Sequence, residues 1–186
     1  SSDFLRSSST FSTISTKTIT WSIIAKRKSS TNFYVFGFDN NSTIYGYISW
    51  YNGAVVLKNS SGTVILNIGG IGGKFGTQTQ GRFIQLDFSC DLTDTSKRHV
   101  IVDGEDLTSS VTFSTYTNDN ISIQNAFFVG GFFAAGNSAT SGEVSRIWFD
   151  DSYKNLSSDN PFYDTSTDKA KDVGADGSTP TGSSPL

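Results

Sequence analysis

The sequence predicts an all-β chain folded as two packed antiparallel sheets, a sandwich or jelly roll. Three observations lead there. Short runs alternate apolar and polar residues with a period of two, and no segment holds an apolar 3.6 period over two turns. Tight-turn signals recur between those runs: Asn52-Gly53, Asn59-Ser60-Ser61-Gly62 and Asp103-Gly104. Aromatic residues reach 13%, fifteen of them Phe, against 17% charged residues, a balance that favours strands and turns over helices.

In order along the chain, a short extended start around Phe4-Leu5 leads to 18–26. There Ile19, Trp21, Ile23 and Ala25 share one face, and Thr18, Thr20, Ser22 and Lys26 the other, as in a half-buried strand. The stretch 32–38 (NFYVFGF) is apolar on both faces and reads as a central strand. Over 44–51 the pattern places Ile44, Ile48 and Trp50 on one face and Tyr45, Tyr47 and Tyr51 on the other. The Asn52-Gly53 turn then starts a three-strand meander through 54–58 and 63–68. Gly81 to Thr108 reads as one long hairpin, with Ile84, Leu86 and Phe88 alternating against Gln85 and Asp87, a polar tip at 91–97, and a return through 99–102. Further strands are expected at 111–113, 126–133 and 143–149, with a bulge at Gly130-Gly131 and at most one helical turn near Tyr153 to Leu156.

With 186 residues the chain suits one domain with one core. The expected division is a β-sandwich over 1–161 and an extended Ser/Thr/Gly/Pro-rich arm over 162–186. From Asp164 onward there is no aromatic residue, and all three prolines fall between Pro161 and Pro185, so the arm has no core of its own. It is expected to lie on another surface, a neighbouring subunit in preference to its own domain, with Val173, Pro180, Pro185 and Leu186 as its assembly contacts. The net charge of −3 gives no footprint for nucleic acid. No apolar run approaches the ~20 residues of a bilayer span, and the N-terminus lacks the basic-then-apolar pattern of a signal peptide. Cys90 is the single cysteine, which excludes an internal disulfide and reads as a small buried hydrophobe. The chain has no Met and opens Ser1-Ser2, as a trimmed chain or a piece of a longer one would.

No reactive constellation stands out. In Gly69 to Gly76 (GGIGGKFG), Gly73-Lys74 suggests a phosphate loop, but Phe75 stands where Ser or Thr is needed and no helix follows. Glycoside hydrolysis needs two carboxylates about 5 to 9.5 Å apart. Asp87, Asp103, Glu105, Asp106 and Asp150-Asp151 form no same-face array and read as solvated turns and strand ends. His99, the single histidine, has no Cys or Ser placed to work with it and reads as a packing residue. Asp39 or Asp150-Asp151 could offer oxygens to calcium, but nothing fixes a ligand set, so neither metal nor cofactor is expected. For carbohydrate, the stripe of Tyr45, Tyr47 and Tyr51 beside Asn52 supplies ring faces and amide groups. The competing reading is a sheet edge or subunit contact.

Several stretches carry a family resemblance. They are Phe4-Leu5-Arg6; Thr18-Ile19-Thr20-Trp21-Ser22 to Lys26-Arg27; 91–104 (DLTDTSKRHVIVDG); Phe128-Val129-Gly130-Gly131 followed by 142–150; and the tail 173–182 (VGADGSTPTG). Together they resemble LamG-like, concanavalin A-like jelly-roll domains of virion proteins of tailed bacteriophages. Departures are Ile24 or Ala25 in place of the second Trp of the early motif, and Gly81-Arg82-Phe83 in place of a W-Y-H, so no binding site is carried over. The resemblance implies a non-enzymatic virion structural protein, in a tail fibre or appendage or as capsid decoration, on the particle exterior and assembled in the host cytoplasm. Its implied partners are other virion proteins and copies of itself, with host-surface glycan as a further candidate. A free-standing carbohydrate-binding lectin module is the alternative.

Overall fold

A computed structural model describes residues 5–6, 12–28, 34–40, 43–50, 53–72, 81–124, 126–130 and 142–180. The strands are β1 (Leu5–Arg6), β2 (Ile14–Thr16), β3 (Thr18–Arg27), β4 (Tyr34–Asp39), β5 (Ile44–Ser49), β6 (Ala54–Lys58), β7 (Val64–Gly69) and β8 (Phe83–Asp91). The chain continues through β9 (Arg98–Val102), β10 (Glu105–Asp106), β11 (Thr112–Tyr116), β12 (Ile121–Ile123), β13 (Ala126–Val129), β14 (Gly142–Asp150), β15 (Tyr163–Asp164) and β16 (Lys169–Ala170). Among the described residues, seven strands form one sheet in the order β1-β13-β4-β5-β6-β7-β11, and five form another in the order β10-β9-β8-β3-β14. Two small pairs, β12-β2 and β15-β16, complete the set. The protein is an all-β, two-sheet antiparallel jelly roll, as the alternation predicts.

The core forms where the two alternating patterns face each other. Across the seven-stranded sheet, Phe36, Ile48, Val55 and Ile68 stand in register; across the other, Phe149, Trp21, Phe88 and Val100 do the same. All eight are buried in one cluster. Trp21 is its centre: ring centroids of Phe88 at 5.7 Å, Phe36 at 5.9 Å, Phe149 at 6.0 Å and Phe38 at 6.4 Å surround it, so rings from both sheets close on one indole. Buried aromatic rings each remove ~150–250 Å² from water, and edge-on contacts add to that gain. Cys90 lies in the same cluster with no exposed surface, and burial pushes its thiol well above the usual range.

The central strand β4 is apolar on both faces for a packing reason. Gly37 faces away from the core, and a Cβ there would stand 2.3 Å from the Phe128 ring and 2.5 Å from the Gly46 carbonyl oxygen. The missing side chain is the seat of Phe128, which is fully buried.

Three expectations are corrected. The chain near Tyr153 to Leu156 is irregular instead of a helical turn. The register of β4 against β5 slips between Phe38 and Asp39, whose partners are Gly46 and Ile44, leaving Tyr45 as the extra residue of a bulge. A bulge breaks alternation, so Tyr45 joins the core cluster and Ile44 does not. Lastly, residues 162–180 lie on this chain's own five-stranded sheet, whereas the sequence favoured a neighbouring subunit. The physical reason is that sheet's outer face: Thr20, Ser22, Asp87 and Ser89 have no exposed surface and Gln85 has 3%, so polar groups there need partners that water cannot supply.

Replacing Gly37 by Ala should force Phe128 or the β5 backbone to shift and cost about 1–3 kcal/mol. Urea unfolding measures it; an unchanged midpoint would show that the glycine is no seat.

Candidate functional site

The most heavily built feature of the surface is the seam between the five-stranded sheet and residues 152–180. Alternation on β3, β8, β9 and β14 places Ser22, Asp87, Ile101 and Trp148 in one row across the outer face. Against it the chain lays Leu156, Phe162 and Val173, which with Ile101 and Trp148 make a second apolar cluster. The Trp148 and Phe162 rings meet at 4.7 Å. Around them the chain's backbone carbonyls accept hydrogen bonds from sheet side chains: Trp148 Nε1 to Gly177 O at 2.8 Å, Arg146 Nη1 to Lys171 O at 2.8 Å, Gln85 Nε2 to Phe162 O at 2.9 Å, and Thr20 Oγ1 to Ser152 O at 2.7 Å. The backbone N–H of Lys154 in turn donates to Thr20 Oγ1 and Ser89 Oγ.

Asp87 is the charged centre of the seam. Gln85 Nε2 donates to both its oxygens at 3.0 and 2.8 Å, and Asn160 Nδ2 reaches across from the segment just before the arm at 2.7 Å. Burial pushes the carboxyl's pKa up, while hydrogen bonds from Ser22, Asn160 and Gln85 and the charge of Arg146 pull it back. Arg146 is itself lowered by burial, with Asp87 and Asp172 opposing that shift. The sequence reading of Asp87 as a solvated carboxylate is therefore corrected. Its partners come from β3, β8, β14 and Asn160 just before the arm, and no local pattern announces that convergence.

The tail 173–180 is shaped by its glycines. Gly174 has φ +79°, and a Cβ on it would stand 2.2 Å from Thr179 Oγ1. Thr179 N donates to Val173 O at 3.1 Å and Gly177 N to Gly174 O at 3.3 Å, a compact double turn that presents the Gly177 carbonyl to Trp148.

Among the described residues, those singled out from sequence are not brought together as a site. Tyr45 is 8% exposed within the core and cannot offer a ring to a sugar. Tyr47 is half-buried on the outer face of the seven-stranded sheet, edge-on to Tyr34 at 5.4 Å. Burial, with Tyr34 adding to it, raises the pKa of its hydroxyl. Tyr51 and Asn52 lie outside the described residues, as do Pro185 and Leu186. Val173 packs into the second cluster, and Pro180 is half-buried at the end of the described tail. His99 Nε2 pairs with Tyr153 OH at 2.8 Å, and burial lowers its pKa. Asp39 is 2% exposed, and Asp150 is paired with Lys154 at 3.4 Å. Among the described residues no group of three or more His, Cys, Asp or Glu is placed to hold a metal ion. Of Gly69 to Gly76, the half from Gly73 on, which holds Gly73-Lys74, falls outside the described residues.

Comparison with known folds gives the architecture a class. The structure is similar to a heptameric SAP-like pentraxin from Limulus polyphemus, with TM-score 0.52 and 14% identity over 82% of this chain and 71% of that one. It is similar also to domains LG4-5 of the mouse laminin alpha1 chain, with TM-score 0.54 and 13% identity over 80% of this chain and 38% of that one. The extracellular region of zebrafish Gpr126/Adgrg6 matches with TM-score 0.53 and 9% identity over 78% of this chain and 19% of that one. The fold is a concanavalin A-like jelly roll. No family model and no curated protein matches the chain.

Phe162 has no exposed surface, so Phe162→Ala should cost about 3–5 kcal/mol in urea unfolding; a loss below about 1 kcal/mol would mean that the arm is not packed. The turn between β15 and β16 makes a pH prediction. Hydrogen bonds from Ser166 and Thr167 hold Asp164 down from its ordinary 3.8 to about 2. Because the folded value lies below the ordinary one, the turn's gain is present above pH 3.8 and is lost as pH falls through about 2. Carboxyl-carbon NMR should give a midpoint of about 2 that rises in Ser166→Ala; a native midpoint at the ordinary 3.8 contradicts the geometry.

Proposed function

We propose that this chain is a non-enzymatic structural and adhesive module on the exterior of a tailed-phage virion, in a tail fibre or appendage or as capsid decoration. The observation that carries the reading is the contact between two stretches of the sequence resemblance, the closing strand and the tail, the tail being its most specific part. The closing strand β14 supplies Trp148, and the tail 173–180 supplies the carbonyl that receives its indole N–H. Glycines, Asp176 and Thr179 of the tail each serve that docking: Gly174 makes room for Thr179, and Asp176 Oδ1 accepts the Ser178 amide at 3.0 Å. The two stretches that resemble virion domains thus meet in one packed contact, which supports the reading.

The chemistry of the described residues suits a scaffold. The buried carboxylate Asp87 is saturated with donors, His99 is engaged with Tyr153, and Cys90 is enclosed in the core. Partners on this reading are other virion proteins and further copies of the chain. A lectin module is the second reading, favoured by the Tyr34–Tyr47 ring pair on the outer face of the seven-stranded sheet.

Immunogold labelling of intact particles with antibody against this chain should decorate the virion exterior. Recovery of the chain solely from the particle-free fraction of infected cells would overturn the proposal. A glycan array that binds the native chain and not Tyr47→Ala, with the fold intact by circular dichroism, would favour the lectin reading.

A further inference from the structure

The five-stranded sheet leaves a short length of strand edge open at the start of β9. The backbone N–H of Asp91 donates to Lys97 O at 2.8 Å, so by alternation the backbone groups of Arg98 and Val100 turn away from β8, toward the far edge of β9. At Val100 that edge is covered: its N–H donates to Thr108 Oγ1 at 2.9 Å, and its C=O accepts the Leu107 N–H at 2.8 Å. Arg98, the first residue of β9, lies past the end of this cover, and among the described residues nothing bonds to its two groups on that edge. It borders an open cleft of about 450 Å³ together with Thr95, Ser96, Asp106, Thr108 and Ser109.

The Arg98 side chain is held in place without using its donors. Its guanidinium lies over the Phe113 ring at 4.2 Å and the Tyr116 ring at 5.3 Å. That seat is fixed: the two rings meet edge-on at 6.0 Å, both pack on the core cluster, and Tyr116 OH donates to Asp91 O at 2.8 Å. Stacking occupies the face of the guanidinium and leaves its N–H groups, which make no hydrogen bond or ion pair among the described residues. The neighbouring charges have other partners. Lys97 is held by Asp91 at 3.5 Å, and Asp94 Oδ1 accepts the Ser96 hydroxyl at 2.7 Å. Asp106 stands opposite Ile101 and so belongs to the outer face of the sheet, where its Oδ1 accepts the Thr108 N–H at 2.8 Å.

A small free anion would use the guanidinium and leave the strand edge unpaired; a neutral strand would do the reverse. An extended peptide with an acidic residue opposite Arg98 uses both. Its backbone pairs with the open edge, its side chain projects to the same face as Arg98, and a carboxylate takes two guanidinium N–H groups side by side. We propose that this cleft docks an extended acidic segment of a partner protein, with an Asp or Glu side chain on Arg98 and its backbone along the open edge of β9.

The test is amide NMR of the full chain, titrated at low salt with the capped tripeptide acetyl-Thr-Glu-Thr-amide. Its Thr-Gln-Thr counterpart, the same Glu peptide N-methylated at Glu, and methyl glucuronide, an acidic sugar, serve as comparisons. Shifts at residues 95–98 and 106–109 are expected with the Glu peptide, with affinity about tenfold lower for the Gln and N-methylated forms. Arg98→Gln should remove the preference for Glu over Gln, and the N-methylated peptide tests the strand edge without altering the protein. No shifts at these residues, equal affinity for either altered peptide, or equal binding of the glucuronide would overturn the proposal. The same shifts on concentrating the chain alone would assign the cleft to a second copy and overturn it too. None of these readouts depends on where the chain sits in a particle, so their failure and that of the virion reading are separate results.

Discussion

A carboxylate with no exposed surface, Asp87, sets the terms for one whole side of this molecule. Left on the outer face of a half-covered sheet, it and its neighbours Ser22, Gln85 and Arg146 would be hydrated. Buried, they need hydrogen-bond partners, because a desolvated polar group without one costs on the order of 1–3 kcal/mol and an unpaired charge more. Residues 152–177 supply those partners as backbone carbonyls and as the Asn160 amide. The covering chain needs no large core of its own; Leu156, Phe162 and Val173 against Trp148 and Ile101 suffice once the polar face is satisfied.

The opposite side of the same sheet is governed by apolar packing. Trp21 is ringed by aromatic side chains of both sheets, and Gly46 of β5 leaves space for the Phe38 ring. The five-stranded sheet is therefore covered on both faces, by the other sheet within and by the C-terminal chain without.

How much of this can be read from residues alone depends on the range of the interaction. The faces of β3 and β8 are legible because alternation is local: Trp21 and Phe88 fall inward and Ser22 and Asp87 outward by period alone. Tyr45 is misplaced because a one-residue bulge beside Gly46 reverses the alternation, a slip that a period-two reading carries straight through. The strands at Ile14–Thr16 and Ile121–Ile123 go unseen because three residues hold too little pattern. The docking of the arm rests on contacts between residues far apart in sequence, such as Gln85 with Phe162. One signal for it exists: Trp148 shares the outward register of Ser22, and a tryptophan on a polar face calls for a cover.

Hydrogen exchange measured by NMR on the native chain and on Asp87→Ala tests the central claim most directly. If the buried carboxylate fastens the arm, the amides of Phe162, Lys171 and Thr179, which are bonded in the fold, are protected in the native protein. In Asp87→Ala they lose protection while the ladder between β3 and β8 keeps its own. Amides of residues 160–180 exchanging at free-chain rates in the native protein, or equally protected in both, would contradict the account.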